Sequence, residues 1–245
     1  SGGAAVRYGG AVRSCGNVNV YSSTFTSNWA ENHGGAIYAS TVNHVENSVF
    51  ISNYAQKSNG GAIYINNAGT STISKNYFKG NTANGNNGRG GAIYTDSLRI
   101  TLNLNNNAFV SNNANDEGKT VFNSGSYNIN GNWWGTNSPS FKNKELMEYH
   151  TFPRSNEQHS DNGYNTVSVS GDSSTYNDMA ATIKVTFKKA VPKYVLENIV
   201  VSSDKAFVLG DKKITGNSLE LTYIPTENGT HKITVKIDSQ TFNRE

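Results

Sequence analysis

Charge is scarce in this sequence. Lys, Arg, Asp and Glu make up 16% of its 245 residues, against about one quarter in an ordinary soluble domain. The net charge of +3 is small and scattered, which gives no electrostatic case for nucleic acid. There is one cysteine, Cys15, so an internal disulfide is excluded and the redox compartment stays open. No apolar run approaches the ~20 residues that span a bilayer, so no membrane insertion is expected within this chain. No signal peptide is present, and the text opens abruptly on SGGAAVRYGGAV. The chain therefore reads as a piece of a longer array. Gly, Asn, Ser and Thr fill the space that charge leaves. These suit tight corners, turns and solvated strand faces. A mean hydropathy of −0.57 points to a narrow core built from few apolar positions.

Three landmarks recur along residues 1–139. The first is Gly-Gly-Ala-(Ile/Val), starting at Gly9, Gly34, Gly60 and Gly90, at spacings of 25, 26 and 30 residues. The second is Phe-x-x-Asn-x-Ala: Phe25/Asn28/Ala30, Phe50/Asn53/Ala55, Phe78/Asn81/Ala83 and Phe109/Asn112/Ala114. The third is an aliphatic residue before each Phe: Val20, Val45, Ile73 and Leu104. A decayed fifth copy runs from Gly118 to Pro139, with Phe122, Ile129, Trp134 and Asn137 in the corresponding places. A period of this length marks a solenoid. Short bursts of β-branched and aromatic residues, split by Asn and Gly, favour strands over helices.

The sequence thus predicts an all-β chain beginning with a right-handed parallel β-helix of about five coils over 1–139. Coils stack about 4.8 Å apart, so like residues meet. Phe25, Phe50, Phe78, Phe109 and Trp134 are expected to stack in the core. Asn28, Asn53, Asn81, Asn112 and Asn137 are expected to bond along the axis as an amide ladder. The glycine pair is expected to allow a positive-φ corner or close packing of the next coil. The Asn132-Trp133-Trp134-Gly135 run reads as a bulky cap, closed by Pro139.

Residues 140–161 are polar and charged and read as a connector, with a short helix around 144–149. Over 162–245, alternating bursts at 166–170, 181–187, 198–203, 206–209, 218–224 and 231–237 predict six or seven strands of an immunoglobulin-like β-sandwich. Gly210-Asp211, Thr215-Gly216-Asn217 and Asn228-Gly229 read as turns, the last as a hairpin signal. Asn228-Gly229-Thr230 also fits a glycosylation sequon. Lys184 and Asn243 are a candidate pair for an internal crosslink.

The Gly-Gly-Ala-Ile-Tyr and Phe-x-x-Asn phrases resemble the short motifs of chlamydial polymorphic membrane proteins. A closer resemblance is to the large adhesin-like surface proteins of methanogenic archaea. It rests on the same repeats, the NWWGTNSP phrase and a following immunoglobulin-like domain. The resemblance covers the whole chain. It implies an extracellular fragment of an anchored cell-surface adhesin, with a host, protist or microbial cell-surface glycan or protein as partner.

Chemistry is sparse. Glu31, Glu46, Asp96, Asp116 and Glu117 are the only acids over 1–139, with no carboxylate pair placed for glycoside hydrolysis. No catalytic residue is assigned. His33 and His44 read as surface turn histidines without ligand spacing, so no metal or cofactor is expected. Cys15 reads as a buried structural thiol. Aromatics offer more. If Ile37, Ile63 and Ile93 face inward, Tyr38, Tyr64 and Tyr94 form an exposed row suited to a glycan or partner. The competing expectation is that these rings stabilise one another across coils. Trp29 and Tyr54 share one slot in successive copies and are the second candidate binding pair. Attachment to cells or glycans by a monomeric fragment is the leading expectation. A passive stalk and a polysaccharide lyase or hydrolase are the alternatives.

Overall fold

The computed structural model describes residues 2–5, 7–116, 118–133, 167–172, 175, 178–188, 190–238 and 240–244. The chain divides into two compact units, Ser1–Gly163 and Tyr164–Glu245. Trp134, Asn137, Pro139, the 140–161 connector and its expected helix lie outside the described residues.

The first unit is a parallel β-solenoid of about four turns, against the five expected. One turn can be followed from Gly34. The chain runs through the strand Ile37–Glu46, turns at Asn47 and continues as Val49–Ile51. It turns again at Ser52 and passes through Tyr54–Ala55 to the next Gly-Gly. Each segment pairs in parallel with its counterpart one turn away. Ile37 lies beside Ile63, Phe50 beside Phe78, and Ala55 beside Ala83. The aliphatic landmark is in register throughout, from Val20 through Val45, Ile73 and Leu104 to Ile129. Together with the phenylalanines these residues form one continuous buried core.

The corners explain the glycine pairs. The first glycine of each pair holds a left-handed backbone, with φ of 66° at Gly34 and 69° at Gly60. The second is small because the next coil lies against it. A Cβ on Gly35, Gly61 or Gly91 would stand 2.1–2.2 Å from a carbonyl oxygen of the following coil. The two roles expected as alternatives are therefore divided between adjacent residues. Other corners also take positive φ but accept side chains: Ser27, Ser52 and Ser111 occupy the slot that Gly80 fills.

The second unit holds two antiparallel sheets. One has four strands in the spatial order Val167–Gly171, Ala181–Phe187, Ser218–Pro225, Phe207–Thr215. The other has three, Val200–Ser203, Ile233–Ile237 and Gln240–Arg244. Alternate residues Ile183, Val185 and Phe187, Leu219, Leu221 and Tyr223, and Ile233, Val235 and Ile237 are buried. The helix Lys193–Glu197 buries Val195 and Leu196.

Three turn expectations separate here. Gly216-Asn217 is a tight hairpin, with Thr215 paired to Ser218. Gly210-Asp211 is no turn. It sits inside the strand Phe207–Thr215, where the register shifts between Leu209 and Lys212. Glycine in a strand marks such a bulge as readily as a reversal. Asn228-Gly229 joins strands of different sheets, so it is a crossover rather than a hairpin. Lys184 is ion-paired to Glu220 at 2.9 Å, and the Asn243 carboxamide accepts from Thr234 at 3.1 Å. Lys184 alternates with buried Ile183 and Val185, and Asn243 pairs with Thr234 between buried Ile233 and Val235, so both side chains face away from the buried residues of their sheets and the case for a crosslink falls.

Candidate functional site

The expected rows of like residues exist, but they differ in exposure. Phe25, Phe50, Phe78 and Phe109 stack at ring separations of 4.7–5.0 Å. This is the interstrand spacing of a sheet, and all four rings are buried. Asn28, Asn53, Asn81 and Asn112 form a linked amide column with Nδ2-to-Oδ1 distances of 2.9 Å. The Oδ1 of Asn53, Asn81 and Asn112 also accepts the backbone N–H of the preceding asparagine, and that of Asn28 accepts the Gly3 N–H. The Nδ2 of Asn53, Asn81 and Asn112 also donates to a phenylalanine carbonyl. The column satisfies the backbone at a corner where no strand can.

A second column went unread in the sequence. Asn76, Asn107 and Asn132 do the same work at the other corner, linked at 3.0 and 2.9 Å. Ser48 continues it by donating its N–H to Asn76. The signal was an Asn two residues before each Phe slot. Serines at 23 and 48 interrupt the pattern.

The tyrosine row requires a correction. Tyr38, Tyr64, Tyr94 and Phe122 do stack, at 5.0–5.2 Å, on the side of the strand facing away from the main core. Yet Tyr64 and Tyr94 are only 5% and 6% exposed, and Tyr38 is half-buried. Two elements cover them. The residue before three of the glycine pairs lies over a ring of the following coil: Tyr8 stacks on Tyr38 at 4.7 Å, His33 sits 4.3 Å from Tyr64, and Arg89 sits over Phe122 at 5.1 Å. The segment after the last Tyr then caps the hydroxyls. Tyr64 and Tyr94 donate to the two oxygens of Asp96 at 2.9 and 3.0 Å. Tyr38 accepts from Asn66 at 2.7 Å. Outward strand positions do not face solvent here but form a second, smaller core. Burial first, and then the Asp96 charge, hold the Tyr64 phenol far above its ordinary range. It therefore remains a proton donor to Asp96 and neither a base nor a nucleophile.

His33 is not a surface turn residue. Its ring stacks on Tyr8 at 5.5 Å, and its Nδ1 is buried without a hydrogen-bond partner. Burial lowers its basicity against a weaker opposing pull from Asp96. The folded state therefore binds the proton less readily than the unfolded chain, whose imidazole titrates near ~6.5. Stability should be full above that pH and fall as pH drops through it toward the folded value. A His33→Phe variant keeps the stacked ring and loses the titration. Its melting temperature should fall less than that of the parent between pH 7.5 and pH 5. Equal falls would show that His33 is not responsible.

Trp29 and Tyr54 are directly in register on neighbouring coils, each half-exposed beside a buried alanine. Thr82 and Asn113 continue the same outward row. Cys15 is exposed rather than buried. It lies where the register of strand Val12–Tyr21 breaks. His44 is exposed on a strand. Among the described residues no group of three His, Cys, Asp or Glu side chains is placed to hold a metal. Nor is any helix there long and apolar enough to cross a membrane. The described acids of the solenoid are engaged. Glu31 pairs with Lys57, Glu46 with Lys75 at 2.8 Å, Asp116 with Arg89 at 3.0 Å, and Asp96 with two tyrosines.

No curated protein and no solved structure matches the chain. Residues 22–40, 47–66 and 77–96 match the Chlamydia polymorphic membrane protein (Chlamydia_PMP) repeat. Each matched stretch takes in the Phe-bearing strand, the Asn corner and the Gly-Gly-Ala-Ile-Tyr strand. The similarity to these repeats therefore follows the unit that builds one turn of the solenoid.

Proposed function

We propose that this chain is an extracellular fragment of a cell-surface adhesin, with the solenoid as its binding part. The observation that carries the reading is the coincidence of three polymorphic-membrane-protein-type repeats with consecutive turns of a β-solenoid. That combination fits a fragment of a surface protein. Side-chain ladders give a stiff, low-charge rod that displays the same outward positions turn after turn. The partner is a glycan or protein on a host, protist or microbial cell, met by a monomer without a cofactor. The second unit spaces or supports the solenoid. The immunoglobulin-like reading of this unit is supported by its strand order, first-second-fifth-fourth in one sheet and third-sixth-seventh in the other.

With Tyr64 and Tyr94 buried, the aromatic contact falls to Trp29 and Tyr54. Amphipathic rings of this kind suit sugar faces and partner surfaces. Replacing both with alanine should weaken retention on target cells about tenfold, equal to ~1.4 kcal/mol. The Trp29 and Tyr54 slots take Thr82 and Asn113 in other coils, so the fold should persist. Unchanged retention would remove this pair as the contact. A passive stalk is the second reading, supported by how completely the ladders satisfy themselves. The enzyme reading is the weakest, because the described acids are tied up in ion pairs and hydrogen bonds.

A further inference from the structure

The strands Gly69–Ser74, Ile100–Asn105 and Ser126–Asn130 lie side by side in one sheet. Their inward residues, among them Ile73, Leu102, Leu104 and Tyr127, are in the core. Their outward residues form a three-by-three lattice. The rows are Thr70–Thr101–Ser126, Thr72–Asn103–Asn128 and Ser74–Asn105–Asn130, each in strict register. All nine are half-exposed or exposed, and none is charged. The nearest charges stand at the rim: the Lys75–Glu46 pair at 2.8 Å and the exposed Arg99.

Two features set this face apart from a merely solvated one. Asparagine is a poor strand residue, yet Asn103, Asn105, Asn128 and Asn130 sit at outward strand positions. Thr or Val there would favour the sheet. At Asn105 and Asn130 no side-chain bond within the described residues repays this, and a local rule broken without structural return marks a functional surface more often than a structural one. These asparagines are also unlike the ones at the corners. Only the middle row is linked internally, Asn128 to Asn103 at 2.7 Å and Asn103 to Thr72 at 3.3 Å. Among the described residues, the side chains of Thr70, Thr101, Ser126, Ser74, Asn105 and Asn130 make no hydrogen bond. Their donors and acceptors stand in fixed rows, about 4.8 Å apart along the axis and about 6.6 Å apart along each strand.

We propose that this lattice binds a neutral, extended polysaccharide lying along the solenoid axis, a refinement that rests on the attachment reading above. Amide and hydroxyl groups bond sugar hydroxyls as both donors and acceptors. An uncharged face suits an uncharged chain and gives an anionic one no partner. The repeat of the coils presents successive sugar residues with the same set of groups.

The test uses the full chain on immobilised neutral polysaccharides, a β-glucan and a mannan, with polygalacturonate as the anionic comparison. The variant Asn103→Thr, Asn105→Thr, Asn128→Thr, Asn130→Thr removes the amides and improves strand propensity. Its melting temperature should hold or rise while retention on the neutral polymer falls at least tenfold. Asn128→Asp, a change of charge at constant size, should lower retention alone. Unchanged retention in both variants overturns the proposal. So does a fall in melting temperature in the threonine variant, which would make the asparagines structural. A parent chain that binds only polygalacturonate, or cells but no neutral polymer, overturns the ligand class and leaves attachment standing. A chain that binds neither polymer nor cells removes both readings.

Discussion

Gly61→Ala should destabilise the solenoid by about 3 kcal/mol or more, while Gly80→Ser should cost less than about 1 kcal/mol. Both glycines lie at corners of the same coil, and only their surroundings differ. A Cβ on Gly61 would meet the Gly91 carbonyl oxygen at 2.1 Å and the Thr82 nitrogen at 2.5 Å. Those are backbone atoms, and the N–H groups of both Thr82 and Gly91 are bonded to neighbouring coils, so the coils must part. A Cβ on Gly80 meets nothing nearer than the Ser52 hydroxyl at 3.7 Å. Serine already holds a positive φ in that slot at positions 27, 52 and 111. The second unit contains no tryptophan, so tryptophan fluorescence during chemical denaturation reports on the first unit. Equal midpoints for the two variants would contradict the close approach of the coils.

Asn81→Ala should cost about 4 kcal/mol, roughly the whole margin of many small domains. The Asn81 Oδ1 accepts both the backbone N–H and the Nδ2 of Asn53. Its own Nδ2 donates to the Phe50 carbonyl and the Asn112 Oδ1. Alanine strands the Asn53 N–H in a fully buried place, and each unsatisfied buried group costs about 1–3 kcal/mol. Asn115 is the control. It too bonds a neighbouring coil, through the Asn84 carbonyl at 2.9 Å, but in solvent. Asn115→Ala should shift the midpoint by less than about 0.5 kcal/mol. Similar shifts for both would mean that the column carries little of the solenoid's stability.

These effects follow from positions that the sequence already displayed. Phe25, Phe50, Phe78 and Phe109, with the asparagine three residues after each, could be aligned because stacking forces like onto like. The second amide column was hidden because its first two members are serines, and a hydroxyl takes over only part of what a carboxamide does. The tyrosine row was legible as a row but not as buried. Strand alternation tells which way Tyr64 points, and says nothing of His33 and Asp96, which come from other turns to cover it. Cys15 reads as a buried structural thiol because no base flanks it in the sequence. The strand itself sets it outward, because Val12, Ser14, Val18 and Val20 take the inward positions. In the second unit, Gly210-Asp211 reads as punctuation. The residues permit a bulge as well as a turn, and only pairing across the strand Ser218–Pro225 decides between them.

The outward polar lattice was equally hard to read. Thr70, Thr101 and Ser126 share no motif and lie at unequal distances from the Gly-Gly landmark, because insertions such as 66–68 and 96–99 vary between coils. Register in the folded chain is what brings them together. The sites that carry the functional proposals therefore lie where repeats diverge, at Trp29 and Tyr54 and on the asparagine strands. The conserved spacing of the landmarks serves the fold.

The measurement that bears most directly on the central claim is saturable binding of the purified, folded chain to intact microbial and host cells. Tryptophan fluorescence would establish that the solenoid is formed in the same sample. The adhesin reading predicts saturable binding to at least one cell class, displaced by that cell's own surface glycan or protein. A folded chain that binds none of them contradicts it and makes the solenoid a stalk.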